Sequence, residues 1–290
     1  MRSMIGEPRV VAAGRGASWW GEGWHIFAAR IGMWIGIMIV YFVIALVISA
    51  VPYVGSIGHS LLTPVFMGGL MLACQAVERN ESLRIGHLFE GFQGAHFVPL
   101  MIIGAVNIAV WIVIFLFGLA GIWGGFAMTS MSAMTDPSEM LRQSLGSISG
   151  VAVVGVIVIV TMLVIVAMLN WFAPALVVFR GVSALEAMKL SFLACLRNWV
   201  PFLIYGLIAI GIGIVGVIVV VVILAFVGVG AIAGGTTGGI MAFIGAMLLL
   251  FVVIVAMALI VGPIVIGSVY SSYKDTLDAE DPALGNPAYQ

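Results

Sequence analysis

A chain of 290 residues that is 63% hydrophobic and only 8% charged, with 37 glycines outside that hydrophobic count, lies far from the about 45–50% apolar and about 25% charged make-up of soluble domains. That composition excludes a soluble fold, and the net charge of -1 says less than the places where the charges fall. Length alone suggests roughly two domains, but repeated apolar runs of spanning length favour one helical bundle in lipid.

Residues 1–30 form a head. It begins Met-Arg-Ser-Met-Ile-Gly and reaches no continuous apolar run before residue 31, so no cleavable secretory signal is expected. Within it, Trp20, Trp24, Phe27, Ile31 and Trp34 recur at helical spacing, with Ser18, Glu22 and His25 turned away. This stripe predicts an amphipathic interfacial helix that carries Arg15 and Arg30 at its ends and runs straight into the first span. Trp19, Trp20, Trp24 and Trp34 are then expected at headgroup depth. Gly21 and Gly23 lower the intrinsic helicity, so contact with membrane or protein must hold the helix.

Residues 31–272 form the membrane domain, with spans expected at 31–51, 57–77, 97–122, 151–179, 200–229 and 239–272. Each meets the requirement of about 20 apolar residues. His59 and Pro64 interrupt the second, the fourth to sixth exceed one crossing, and Pro174 and Pro263 are natural kink points. The strand alternation of a closed barrel, the other spanning structure, is absent from runs such as Val151 to Met168. The fold class is therefore all-α, a polytopic transmembrane helical bundle. Residues 273–290 are an acidic tail.

A second lead-in opens at Ser183-Ala-Leu-Glu186, which reads as a capping box, with an apolar stripe of Leu185, Met188, Phe192, Cys195 and Trp199. An offset of 165 residues aligns Gly16, Ser18, Phe27, Ala29 and Trp34 with Gly181, Ser183, Phe192, Ala194 and Trp199, which adds Phe192 and Trp199 to the expected interface residues. A shorter third version places Ile85, Leu88, Phe89 and Phe92 on one face. The economical description is three hairpins, each preceded by a cytoplasmic amphipathic helix. Pro52 to Ser56 and Gly230 to Gly239 supply short outer turns, and Asp136-Pro-Ser-Glu139 in the longer third connection reads as a capped helix start.

Orientation follows from lysine and arginine. Arg2, Arg9, Arg15 and Arg30 in the head, Arg79 and Arg84 after span two, Arg180, Lys189 and Arg197 after span four, and Lys274 in the tail share one side. Of the 11 basic residues only Arg142 falls on the other. Both termini are therefore expected in the cytoplasm. Cys74 and Cys195 then lie at cytoplasmic span ends, where thiols stay reduced and no disulfide is expected.

Chemistry-bearing patterns are sparse. Gly211-Ile-Gly-Ile-Val-Gly216 matches the dinucleotide fingerprint in form only, since it lies mid-span with no acidic residue before Asp275; its glycines suit close helix approach. His25, His59, His87 and His96 fit no compact ligand spacing, and His87 with His96 reads as part of a solvated loop. No metal or cofactor is expected. All twelve acidic residues lie outside the predicted spans, which argues against proton coupling. Asn107, Thr161 and Asn170 are the notable polar groups inside them, as interhelical bonds or as the lining of a path.

Two segments, Val65-Phe-Met-Gly-Gly-Leu-Met71 through Ile85-Gly-His-Leu-Phe-Glu-Gly-Phe92 and Pro174 to Trp199, resemble a family of uncharacterised six-helix inner-membrane proteins of proteobacteria. The second is also similar in layout to the membrane module of some glycerophosphodiester phosphodiesterases. The resemblance implies an integral protein of the bacterial inner membrane without an established activity; phosphodiesterase chemistry is not implied, because a soluble catalytic domain is not expected here. Three functions follow in order: a non-enzymatic scaffold, assembly or lipid-interacting accessory; a channel or exporter for a neutral or apolar solute; and a lipid-modifying enzyme built on Glu22, His25, His87, Glu90 and His96. The expected partners are membrane lipids and other membrane proteins or further copies of the chain, with no nucleic acid.

Overall fold

The computed structural model describes residues 7–52, 54–133, 137–233 and 235–278. Among them the chain is all-α: α1 (Arg15–Ala29), α2 (Ile31–Ser49), α3 (Val54–Glu78), α4 (Phe97–Ala133), α5 (Pro137–Asn170), α6 (Ala173–Arg180), α7 (Ala184–Arg197), α8 (Trp199–Ala233) and α9 (Gly235–Thr276), with a 3₁₀ segment at Ile85–Phe92. Six helical stretches are long and apolar enough to cross a membrane. The protein is thus an all-α polytopic bundle. The contacts divide it into two units, Met1–Val47 with Gly69–Glu90 and Leu193–Gln290, and Ile48–Gly68 with Gly91–Phe192.

In the first unit α1 lies on α9 and α8, which pack on each other. The sequence makes this possible through small residues. A Cβ on Gly16 would collide with the Pro201 carbonyl of α8, and one on Gly23 with the Ile264 carbonyl and Ser268 N of α9, so backbones meet where lipid-embedded helices use glycine for close approach. The facing part of α9 is equally small. Ser268, Ser271, Ser272 and Thr276 are buried, and their hydroxyls bond carbonyls of their own helix at 2.7–3.0 Å, so no hydroxyl is lost to the packing. Farther along, α8 and α9 expose Ile214, Val215, Ile218, Ile244 and Leu248, the apolar surface that lipid covers.

The buried face of α1 is Gly16, Trp19, Gly23 and Phe27; of the predicted stripe, Phe27 and Trp34 are buried, Trp20 is half-buried, and Trp24, 48% exposed, and Ile31 face outward. The hydrophobicity of the tryptophans drew the expectation, whereas glycine sets the contact because it lets the backbones touch. Nor does α1 run straight into α2: Arg30 at φ -147°, ψ 48° breaks the helix.

In the second unit α4 packs on α5. The expected fourth span is divided at Trp171–Phe172, and α6 follows as a separate buried helix. Ser191 of α7 holds the break: its Oγ accepts from Phe172 N at 2.9 Å and donates to the Met168 carbonyl at 2.6 Å. Gly181 ends α6 at φ 62° with its N–H on the Val177 carbonyl, the left-handed cap that glycine favours. Pro64, which interrupts the apolar run of span two, lies inside α3, and that helix is long and apolar enough to cross a membrane. The helix α5 opens at Pro137, and the proposed cap Asp136 lies outside the described residues.

The second lead-in, α7, also differs from its predicted stripe. Ala184, Ala187, Met188, Ser191, Ala194 and Cys195 are buried, whereas Leu185 and Trp199 are exposed. The third is not an α-helix but the 3₁₀ segment, of which Leu88 is fully buried and Ile85 and Phe89 are exposed. Large apolar side chains are free to face lipid, so size alone does not mark the protein-facing side.

Candidate functional site

Charged residues gather in the first unit where three helices end. Asp275, in the last turn of α9, accepts with Oδ2 from Arg15 Nε at 2.5 Å and from Trp19 Nε1 at 2.7 Å. Arg15 Nη2 reaches Glu22 Oε1 at 2.7 Å. Burial opposes the charge on Arg15, but the hydrogen bond and charge of Asp275, followed by those of Glu22, outweigh it and hold the guanidinium pKa above its ordinary value. On α3, Glu78 accepts from Tyr270 Oη with Oε2 at 2.6 Å and pairs through Oε1 with Lys274.

These groups surround a cavity of about 340 Å³ lined by Glu22, His25, Glu78, Tyr270, Ser271, Lys274 and Asp275, with Ile26, Ala29 and Val77 forming its apolar side. Of the five residues expected to carry lipid chemistry, Glu22 and His25 line the cavity, while His96 does not and His87 and Glu90 stand together outside it at 3.9 Å. His87 is not solvated as expected. It is buried, its Nδ1 within 3.0 Å of Arg84 N and 2.9 Å of the Arg84 carbonyl, because the tight 3₁₀ turn folds the ring onto its own backbone. Sequence reading missed Glu78, Tyr270, Lys274 and Asp275. Their only signal was position: Glu78 closes α3, and Tyr270, Lys274 and Asp275 lie in the last two turns of α9.

A further residue that the sequence did not single out, Asn198, ties down the amino-terminal segment. Buried Asn198 accepts from Val11 N at 2.9 Å and donates to the Arg9 carbonyl at 2.8 Å, which imitates strand pairing. Arg9 N in turn donates to the Thr276 carbonyl at 2.9 Å, and Arg197 binds Glu7 at 2.9 Å. Three of the expected positive-inside residues, Arg15, Arg197 and Lys274, are therefore in ion pairs; Arg30, Arg79, Arg84 and Lys189 are exposed and Arg180 is half-buried.

The expected interface residues separate into two groups. Trp19 and Trp34 are fully buried in protein, and Trp34 Nε1 bonds the Ile26 carbonyl at 3.1 Å, so neither faces headgroups: each indole N–H has an acceptor inside the fold. Trp20 stacks on Tyr205, ring centroids 4.8 Å apart. Trp24 and Trp199 remain exposed and Phe192 half-buried.

In the second unit Asn107 of α4 and Asn170 of α5 bond each other reciprocally, both at 2.9 Å, and Asn170 Nδ2 also donates to the Val166 carbonyl at 2.8 Å. Thr161 bonds its own helix at Ile157. The asparagines therefore join helices.

Six apolar helices, a polar junction at span ends and an asparagine pair inside the spans define a polytopic α-helical membrane protein. The chain is similar to a probable inner membrane protein of Burkholderia thailandensis, 25% identical over 209 residues that cover 70% of this chain and 76% of the relative. No protein-family model and no solved structure matches it.

Proposed function

We propose that the protein is a non-catalytic integral protein of the bacterial inner membrane, a scaffold or assembly accessory that interacts with lipid, with both termini cytoplasmic. The observation that carries this reading is that, among the described residues, Asn107, Thr161 and Asn170 within the spans are spent on internal bonds, above all the closed Asn107–Asn170 pair. A path for a neutral solute would need those amides turned toward it, and their reciprocal bonding weighs against a channel. Lipid chemistry on the expected residues is disfavoured by the separation of His87 and Glu90 from the cavity that holds Glu22 and His25. The similarity to a probable inner membrane protein supports the location, and the crowding of basic residues on one side supports the orientation.

Native mass spectrometry of the protein extracted in mild detergent tests the reading. A reproducible protein or lipid adduct, with the lipid unaltered, is the expected result; retention of a soluble neutral solute would instead restore the channel. Reporter fusions to the tail test the topology: fluorescence of a cytoplasm-dependent reporter is expected, and activity of a periplasm-dependent phosphatase would reverse the orientation.

A further inference from the structure

We propose that the cavity of the first unit binds a primary ammonium joined to a phosphodiester, the headgroup chemistry of an ethanolamine phospholipid. This deepens the lipid-interacting reading and rests on it. Its volume of about 340 Å³ is at the small end of the about 300–1,000 Å³ typical of small-molecule sites, so it takes a headgroup and not a whole lipid. Its depth is set by the helices. Val77 and Glu78 close α3, Tyr270 to Asp275 close α9, and Ile26 and Ala29 immediately precede α2, which places the cavity where spanning helices meet the headgroup layer.

Charge selects the ligand. Three carboxylates, Glu22, Glu78 and Asp275, face two permanent cations, Arg15 and Lys274, which leaves a negative excess suited to an ammonium. Glu22 uses Oε1 and Asp275 uses Oδ2 for these pairs. An ionised carboxylate accepts through both oxygens, so Glu22 Oε2 and Asp275 Oδ1 offer further acceptor capacity toward an ammonium. Lys274 and His25 line the same cavity and supply donors to a phosphodiester. Ile26, Ala29 and Val77 give the apolar side along which the glycerol end leaves toward lipid. A purely anionic headgroup would meet the same three carboxylates without a cation of its own.

The test is native mass spectrometry of the full chain with phosphatidylethanolamine, phosphatidylglycerol or soluble phosphoethanolamine added, on the wild type, Glu22→Gln and Glu90→Gln. The glutamine keeps an oxygen for Arg15, and an unchanged melting temperature shows that the fold persists. Phosphatidylethanolamine is expected to be retained over phosphatidylglycerol and to lose about tenfold in affinity in Glu22→Gln, the effect of one charge-assisted contact, with Glu90→Gln unchanged. Displacement of the lipid by phosphoethanolamine supports the site and marks a soluble amine as a second source; persistence of the lipid against it marks the lipid as the source. Equal retention by Glu22→Gln, or equal retention of both lipids, overturns the site. Release of the headgroup from bound lipid would instead overturn the non-catalytic reading and leave the site standing.

Discussion

Asp275, in the last turn of α9, gathers a guanidinium and an indole N–H, whereas Asn107 of α4 and Asn170, the last residue of α5, both within apolar spans, close on each other. Both regions satisfy polar groups in a chain with little water around it, and they differ in charge because they differ in position. At a span end, water and headgroups screen a carboxylate network and the cost of ionisation is moderate. Within hydrocarbon an ionised group is far more costly, and a neutral amide that bonds a second amide is the affordable polar joint. The first region fixes a surface helix to the bundle, while the second joins two spans.

Removing the charge at the end of α9 should separate the two regions most. In Asp275→Ala, Arg15 keeps Glu22 but loses its second carboxylate, and the Trp19 N–H loses its acceptor, so we expect a loss of about 2–3 kcal/mol. Thermal unfolding in detergent reads the loss, and limited proteolysis should show cleavage within residues 15–30 while protection around α4 and α5 is kept. An unchanged cleavage pattern would mean that α1 is held by its glycine face alone.

That glycine face has its own test, somewhat smaller. Gly23→Ala places a methyl against the Ile264 carbonyl and should cost about 1–3 kcal/mol by overpacking. Gly21→Ala meets nothing within 4 Å and should instead stabilise by about 0.5–1 kcal/mol, because alanine is the better helix former. Opposite signs from two glycines two residues apart would establish that α1 docks on protein through one face. Equal signs would return it to the membrane surface. Trp20→Ala, which removes the stack on Tyr205 and a bond to its carbonyl, should likewise release α1 more than Trp24→Ala.

The bundle was legible in the sequence because lipid imposes long apolar runs, and no competing pattern produces them. Which face of α1 or α7 meets protein was not legible. In water a large apolar side chain marks the buried side, but beside lipid Trp24, Leu185 and Trp199 lose nothing by pointing outward, while Gly16, Gly23, Ala187 and Ser191 are buried. The junction was hidden for another reason. Arg15 and Asp275 are 260 residues apart, and Glu78 and Lys274 are 196 apart, so no local spacing links them. Glu22 and His25 were noticed as neighbours on a helix, but the partners that turn them into a cavity wall lie at the ends of other spans.

On the neutral side of the comparison, a double-mutant cycle on Asn107 and Asn170 measures what the amide pair is worth. Each single change to alanine leaves one amide without its cross-helix partner, and a coupling of about 0.6–2 kcal/mol is expected. A coupling near zero would show that Asn170 is content with the Val166 carbonyl alone. Water reaching the two amides would give the same result, and would reopen the channel reading.

The smallest effect concerns Cys195 on α7, outside the spans, where burial pushes the thiol from 9.0 up to about 12. A raised acid keeps its proton longer in the folded chain than in the unfolded one. Its contribution to stability is therefore full below about pH 9 and declines as pH rises from there toward 12. Near neutral pH stability should not respond to this group, but reactivity should. The thiolate is the nucleophile, so Cys195 in the folded protein should resist a maleimide at pH 7.5 and react once denaturant is added. Prompt labelling without denaturant would mean that α7 opens readily, and that the buried face of Ala184, Ala187, Met188 and Ala194 is less firmly seated than α1 on α9.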